Sequence, residues 1–237
     1  MKISTILFDL DGTLLPMDLG KFTKGYFGAL SKKLIPYGYD PKQLIDSVWA
    51  GIEAMVMNDG TCSNEVAFWN KFSEFYGEKA ITDKNLFNDF YENDFNSVKN
   101  YCGTNSKIPI IVDKLKKSDY HLVLATNPIF PATATINRIK WAGLNPDDFE
   151  MITTYENSNY CKPNLKYYQE LIDKLAVDPK KCLMVGNDVT EDMIASKLGI
   201  NVFLLTDCLI NKNNVDIRQY PNGGFDEFTD YLTKLNS

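Results

Sequence analysis

Apolar positions divide the chain into two regimes. Ile3 to Leu10 is a short apolar run, partly β-branched, closed by a polar turn at Asp11-Gly12-Thr13. That pattern predicts a buried strand. From Asp18 to about Asn100 the apolar positions recur at helical spacing and are rich in aromatics. Pro41 suits the first turn of a helix carrying Leu44, Ile45, Val48, Ile52 and Met55. Asn58-Asp59-Gly60 interrupts it, and Ser63 can cap a following helix with Val66, Phe68, Trp69, Phe72 and Phe75. This aromatic stripe reads as interior packing. A further helix holds Leu86, Phe90 and Phe95, and Gly103 to Ser106 marks the exit from the helical block.

Strands and helices then alternate. The predicted strands are His121 to Ala125, Met151 to Thr154, Cys182 to Val185 and Asn201 to Leu205. The predicted helices are Ile110 to Lys117, Ala132 to Ala142, Leu165 to Leu175, Glu191 to Leu198 and Phe225 to Leu235. Alternation of this kind implies βαβ units and a parallel sheet, with the helical block inserted after the first strand. Ligands of an open parallel sheet bind at the carboxyl ends of its strands, so the polar residues there are the candidates for chemistry.

Composition narrows the class. The chain has 237 residues, 44% hydrophobic and 24% charged, which fits one domain with a large insertion or two small ones. The net charge of −6 argues against nucleic acid or anionic lipid as a partner. Five separated cysteines (Cys62, Cys102, Cys161, Cys182, Cys208) form no C-x-x-C pair and read as reduced thiols of a cytoplasmic protein. The opening Met1 to Phe8 run breaks at Asp9 and lacks a signal-peptide core, and no stretch reaches the ~20 apolar residues of a membrane span. His121 is the single histidine, which excludes a zinc site built on several.

Four polar clusters sit at strand ends: Asp9 to Thr13, Thr126-Asn127-Pro128, Lys162-Pro163, and Gly186 to Asp192. If the first strand runs on far enough, Asp9 and Asp11 point to one face. Two close carboxylates repel, and a hard divalent cation such as Mg²⁺ relieves that conflict. Asp188 adds a carboxylate, Thr126 a hydroxyl, Asn127 an N–H and Lys162 a cation. A nucleophile, charge neutralisation and positioning donors are what phosphoryl transfer needs.

In these motifs the chain resembles the haloacid dehalogenase-like superfamily, on its phosphatase side. Asp9-Leu10-Asp11-Gly12-Thr13 matches the D-x-D-G-T motif after a hydrophobic strand, and Thr126-Asn127, Lys162 and Gly186 to Asp192 follow in family order. The resemblance runs from Ile3 to about Leu205. It implies a doubly wound, Rossmann-like α/β core of residues 1–16 and 104–237, and a C1-type helical cap of residues 17–103 that selects substrate. Further implied are Asp9 as nucleophile and Asp11 as proton donor and acceptor. Thr126 and Asn127 would bind phosphoryl oxygens, and Lys162 would neutralise charge. The implied Mg²⁺ ligands are Asp9, the Asp11 carbonyl, and Asn187 or Asp188, with Asp192 supporting Lys162. The residue after the motif glycine is often Asp in relatives; here it is Asn187, and charge alone favours Asp188 as the ligand. The implied substrate is a small phosphorylated metabolite, taken by a monomer or homodimer. The loop from Asn58 to Asn64 is the cap segment expected to face the site.

Other readings remain. A calcium loop starting at Asp9 would need Gly at position six and Glu at twelve, but Leu14 and Gly20 stand there. A dehalogenase of the same superfamily needs no metal and usually lacks the second Asp. A phosphomutase would keep all four motifs. A non-catalytic metabolite-binding protein would tolerate loss of one of Asp9, Asp11, Thr126 and Lys162, yet all four are present.

Overall fold

The computed structural model describes residues 2–235. Six parallel strands form one sheet in the order β3-β2-β1-β4-β5-β6. They are β1 (Thr5–Phe8), β2 (His121–Leu124), β3 (Met151–Ile152), β4 (Cys182–Gly186), β5 (Asn201–Leu205) and β6 (Asn222–Gly223). The chain leaves β1 toward β2 and β3, then crosses back to β4 on the other side of β1. The strand order therefore reverses at β1, where open sheets leave a crevice at the carboxyl ends.

Both faces of the sheet are covered, and the period-2 alternation of side chains decides which residues cover which. Ile6 and Phe8, Leu122 and Leu124, Leu183 and Val185, Phe203 and Leu205 belong to one apolar cluster. Leu7, Val123, Cys182, Met184, Val202 and Leu204 belong to the other. Helices α6 (Lys107–Lys117), α7 (Ala132–Trp141) and α9 (Phe225–Leu235) pack on the first face, while α8 (Leu165–Leu175) and the 3₁₀ turn Met193–Leu198 pack on the second. This is a doubly wound α/β fold.

Between β1 and β2 lie α1 (Leu19–Leu34), α2 (Pro41–Val56), α3 (Asn64–Tyr76), α4 (Glu78–Thr82), α5 (Lys84–Glu92) and a 3₁₀ segment, Asp94–Tyr101. Asp40 and Ser63 accept hydrogen bonds from Gln43 N and Val66 N, so both caps form where the residue types call for them. Phe22, Leu30, Phe72, Phe90 and Phe95 of this block join the same apolar cluster as the first face of the sheet. Among the described residues no helix is long and apolar enough to cross a membrane.

Several elements differ from the pattern reading. The first strand stops at Phe8, because Gly12 at φ +86° starts a tight turn closed by Gly12 N–H to Leu15 O at 2.8 Å. The expected single helix through Leu86 and Phe95 is two, broken at Asn93, which lies at φ −113°, ψ −63°. Glu191 to Leu198 is 3₁₀ rather than α, and only from Met193. The third strand keeps two residues, since the Thr153 hydroxyl turns to the carbonyls of Leu124 and Thr126. Phe68 and Phe72 are interior as expected, but Phe75 is 38% exposed. His121 is exposed and faces Glu150, an acidic neighbour supplied from 29 residues away.

Candidate active site

The strand ends bring the four motifs together. Asp9 continues the ladder by one bond, its N–H donating to Val185 O at 2.9 Å, so its carboxylate emerges between β1 and β4. Lys162 reaches it from the loop after β3, with Nζ 3.0 Å from Asp9 Oδ1 and 2.7 Å from Asp192 Oδ1. Lys162 and Asp192 are each 1% exposed. Burial pulls the lysine pKa down, but Asp192 and Asp9 outweigh it and hold the ammonium well above its ordinary value. Burial raises the Asp192 pKa, against the pull of the Lys162 charge. Gly186 makes room for this carboxylate, since a Cβ there would lie 2.1 Å from Asp192 Oδ2.

The turn at Gly12 returns Thr13 to the site. Its hydroxyl lies 3.1 Å from Asp9 Oδ2 and 3.0 Å from Asn187 Oδ1. One hydroxyl hydrogen serves one acceptor at a time, so these two oxygens share a single donor. Asn187 is 1% exposed and is pinned by its own amide donating to Cys208 O at 2.7 Å. Asp188 uses Oδ1 to accept the N–H groups of Thr190 and Glu191, at 2.7 and 3.0 Å. Asn127 ties two motifs together: its Oδ1 accepts the Lys162 N–H at 3.2 Å and its Nδ2 donates to Glu191 Oε2 at 3.0 Å.

Asp11 departs from expectation. Its carboxylate has a partner that the strand-end motifs do not supply, Arg138 of α7. Burial raises its pKa, Arg138 opposes that, and the nearby Asp9 charge adds to it. Asp9, Asp11, Thr126, Asn127, Asn187, Asp188 and Asp192 line one cavity of about 580 Å³. Every one of the motif residues therefore converges, with Lys162 sealed beneath. The Asn58 to Asn64 loop does not line this cavity. Asn64 is fully buried and donates to Pro128 O at 3.3 Å, so the loop docks behind the Thr126-Asn127 motif without lining the cavity.

Pattern reading did not assign a part to several residues that build the site. Arg138 carries no local signal, because a cation on an amphipathic helix ordinarily faces water. Glu191, its carboxyl pushed up to about 7 by burial, lies inside the fourth motif, but nothing in the local pattern marks it as the partner of Asn127. The wall formed by Cys208 and Lys212 follows β5 in a segment without motif character. Thr13 was within the first motif, and its orienting role depends on the Gly12 turn.

Oxygen donors dominate the cavity mouth, which suits a hard cation and an oxyanion rather than a soft metal. Among the described residues no three Asp, Glu, His or Cys side chains come close enough to hold a metal by themselves. Mg²⁺ is commonly held by one or two carboxylates plus substrate phosphate, so Asp9 with the neutral oxygen of Asn187 and the carboxylate of Asp188 fits it.

A doubly wound sheet with a buried aspartate–lysine pair at its switch point is the architecture of an α/β enzyme whose site lies at the strand ends. The chain belongs to the haloacid dehalogenase-like hydrolases, whose family profile matches residues 6–205. It is similar to pyrophosphatase PpaX of Bacillus cereus, with 24% identity over 189 residues, 79% of this chain and 76% of that one. Among solved structures it resembles a HAD phosphatase from Thermococcus onnurineus, with a TM-score of 0.59 and 19% identity over 100% of both chains. It also resembles YfnB from Bacillus subtilis, solved bound to magnesium, with a TM-score of 0.56 and 16% identity over 98% and 99% of the two chains.

Proposed function

We propose that the protein is a Mg²⁺-dependent phosphatase that cleaves a small phosphomonoester through an aspartyl-phosphate on Asp9. The observation that carries this reading is the Asp9 carboxylate, held by the buried Lys162 at 3.0 Å and opening into a cavity lined by Asp11, Thr126 and Asn127. Phosphatase names among the relatives support the reaction class.

Asp9 attacks phosphorus in line, and the phosphorus–ester oxygen bond breaks. Its electron pair leaves on the substrate oxygen, which takes a proton from Asp11. Water then attacks the phosphoryl group on Asp9 and gives its proton to Asp11, freeing inorganic phosphate and restoring the Asp9 carboxylate. Thr126 and the Asn127 N–H orient the phosphoryl oxygens, and Lys162 offsets charge that develops on Asp9 and the phosphoryl group. Asp9, the Asp11 carbonyl, and Asp188 or Asn187 would hold Mg²⁺. When bound, the ion offsets the negative charge of the phosphoryl oxygens and so lets one anion approach another. Residues 17–103 act as the cap that excludes water in the first step and chooses the substrate. The protein works on a phosphorylated metabolite in the cytoplasm.

The test is phosphate release from a panel of sugar, acyl and aryl phosphates with Mg²⁺ and with chelator, using the wild type and Asp9→Asn. The reading expects metal-dependent turnover that Asp9→Asn abolishes. Turnover retained in Asp9→Asn rejects the nucleophile, and halide release from a 2-haloacid without metal makes the chain a dehalogenase.

A further inference from the structure

Arg138 is the largest fully buried side chain in the protein and the only arginine in its interior among the described residues. A buried guanidinium is costly unless its N–H groups find partners. Here the helix itself fixes the group. Nε lies 3.4 Å from Ala134 O, Nη2 lies 3.3 Å from Thr135 Oγ1, and the guanidinium carbon sits 4.3 Å from the centre of the Phe130 ring. The remaining arm, Nη1, bonds to Asp11 Oδ2.

Asp11 needs such a partner. It lies beyond the end of β1, on the turn opened by Gly12, so the sheet does not fix its side chain. Its other oxygen, Oδ1, is shielded from solvent and has no hydrogen-bond partner among the described residues. One oxygen is thus clamped and the other is left without a donor, inside the cavity that holds Asp9.

We propose that Arg138 is a positioning residue for the reaction: it clamps Oδ2 of Asp11 so that the carboxyl is aimed at the oxygen leaving phosphorus. The inference rests on the reading of Asp11 as proton donor given above. The clamp spans 127 residues of sequence and runs through α7, the helix that follows Thr126 and Asn127. The proton donor is thereby tied to the segment that runs from the Thr126-Asn127 motif into α7. A pair serving only as a strut between α7 and the Gly12 turn would also be buried, so the two roles must be separated by kinetics.

Leaving-group dependence separates them. Departure of an alkoxide requires a well-placed proton, whereas a dinitrophenolate leaves without one. The quantity to compare is kcat/KM with Mg²⁺ for benzyl phosphate and for 2,4-dinitrophenyl phosphate, because it reports the step in which the leaving group departs. In Arg138→Gln, kcat/KM for benzyl phosphate should fall about 100-fold while the dinitrophenyl ester stays within about threefold, the size of effect expected when a proton donor is displaced. Asp11→Asn should show the same pattern. Arg138→Lys keeps the charge without the planar fork and should recover part of the loss. The ratio of the two substrates in one sample cancels any difference in the folded fraction, and Arg138→Lys supplies the ratio if Arg138→Gln does not fold. Equal losses on both esters in the Arg138 variants, with the selective loss intact in Asp11→Asn, overturn the clamp and leave the proposed function standing. Equal losses in Asp11→Asn overturn the assignment of Asp11, and this inference with it.

Discussion

The ammonium of Lys162 lies 3.0 Å from Oδ1 of Asp9, a contact between positions 153 residues apart. Asp192 completes the arrangement, so one buried cation stands between two carboxylates. Removing one partner of a buried ion pair leaves the other uncompensated. Lys162→Met should therefore abolish turnover and lower stability by about 3–5 kcal/mol. Urea denaturation of metal-free protein near neutral pH measures the second effect, and a change below about 1 kcal/mol would show that the cluster is not the strut the geometry indicates.

The residues Asn187 and Asp188 compete for one role. Asn187 Oδ1 shares the Thr13 hydroxyl with Asp9, whereas Asp188 carries charge but commits Oδ1 to two backbone N–H groups. Charge should decide for a divalent ion. Asp188→Asn is expected to weaken Mg²⁺ binding about tenfold or more, and Asn187→Ala by less, as read by calorimetric titration. The reverse ranking would assign the ligand to Asn187.

Glu191 gives the metal-free protein a pH dependence of defined sign. Burial raises its carboxyl from the 4.5 of an exposed glutamate to about 7. Below 4.5 it is protonated in both folded and unfolded chains and costs nothing. Between 4.5 and about 7 the folded protein keeps a proton that the unfolded chain has lost, and above that range it holds a disfavoured charge. Stability should accordingly fall as pH rises through this window. Glu191→Gln should gain on the order of 1 kcal/mol over wild type near pH 8 and nothing near pH 4.5, by urea denaturation in chelator. An equal gain at both values would remove ionisation as the cause.

Asn64 joins the helical block to the sheet. Its amide donates to Pro128 O at 3.3 Å, and its Oδ1 accepts from Asn58 Nδ2 at 2.9 Å. Asn64→Leu deprives Pro128 O of this donor and leaves Asn58 Nδ2 with only its bond to Cys62 O, so a loss of about 1–3 kcal/mol is expected in thermal or urea unfolding. The loss should be concentrated in hydrogen exchange of residues 58–65 and 155–161, which the same loop contacts hold.

The elements that could be read from pattern are those whose packing is one-sided or fully buried. Leu165–Leu175, Asn201–Leu205 and Phe225–Leu235 fall where the apolar spacing puts them. The residues near Asn93 and Met193 were misjudged, because helical spacing of apolar residues does not distinguish a continuous α-helix from one broken into 3₁₀ turns. Motif residues were legible because each follows a strand and stands beside a Gly or Pro. Arg138 was not legible, since its partner lies 127 residues away and its helix offers no local sign that the cation points inward.

The sequence by itself determined the strand–helix alternation, the parallel sheet and the set of oxygen and ammonium groups at the strand ends, because local periodicity and turn chemistry are written in neighbouring residues. Only the tertiary structure decided how the charges are shared. Lys162 goes to Asp9 and Asp192, while Asp11 goes to Arg138. Ion pairing in a low-dielectric interior depends on distance and burial, and the fold sets both by bringing remote segments to the same strand ends.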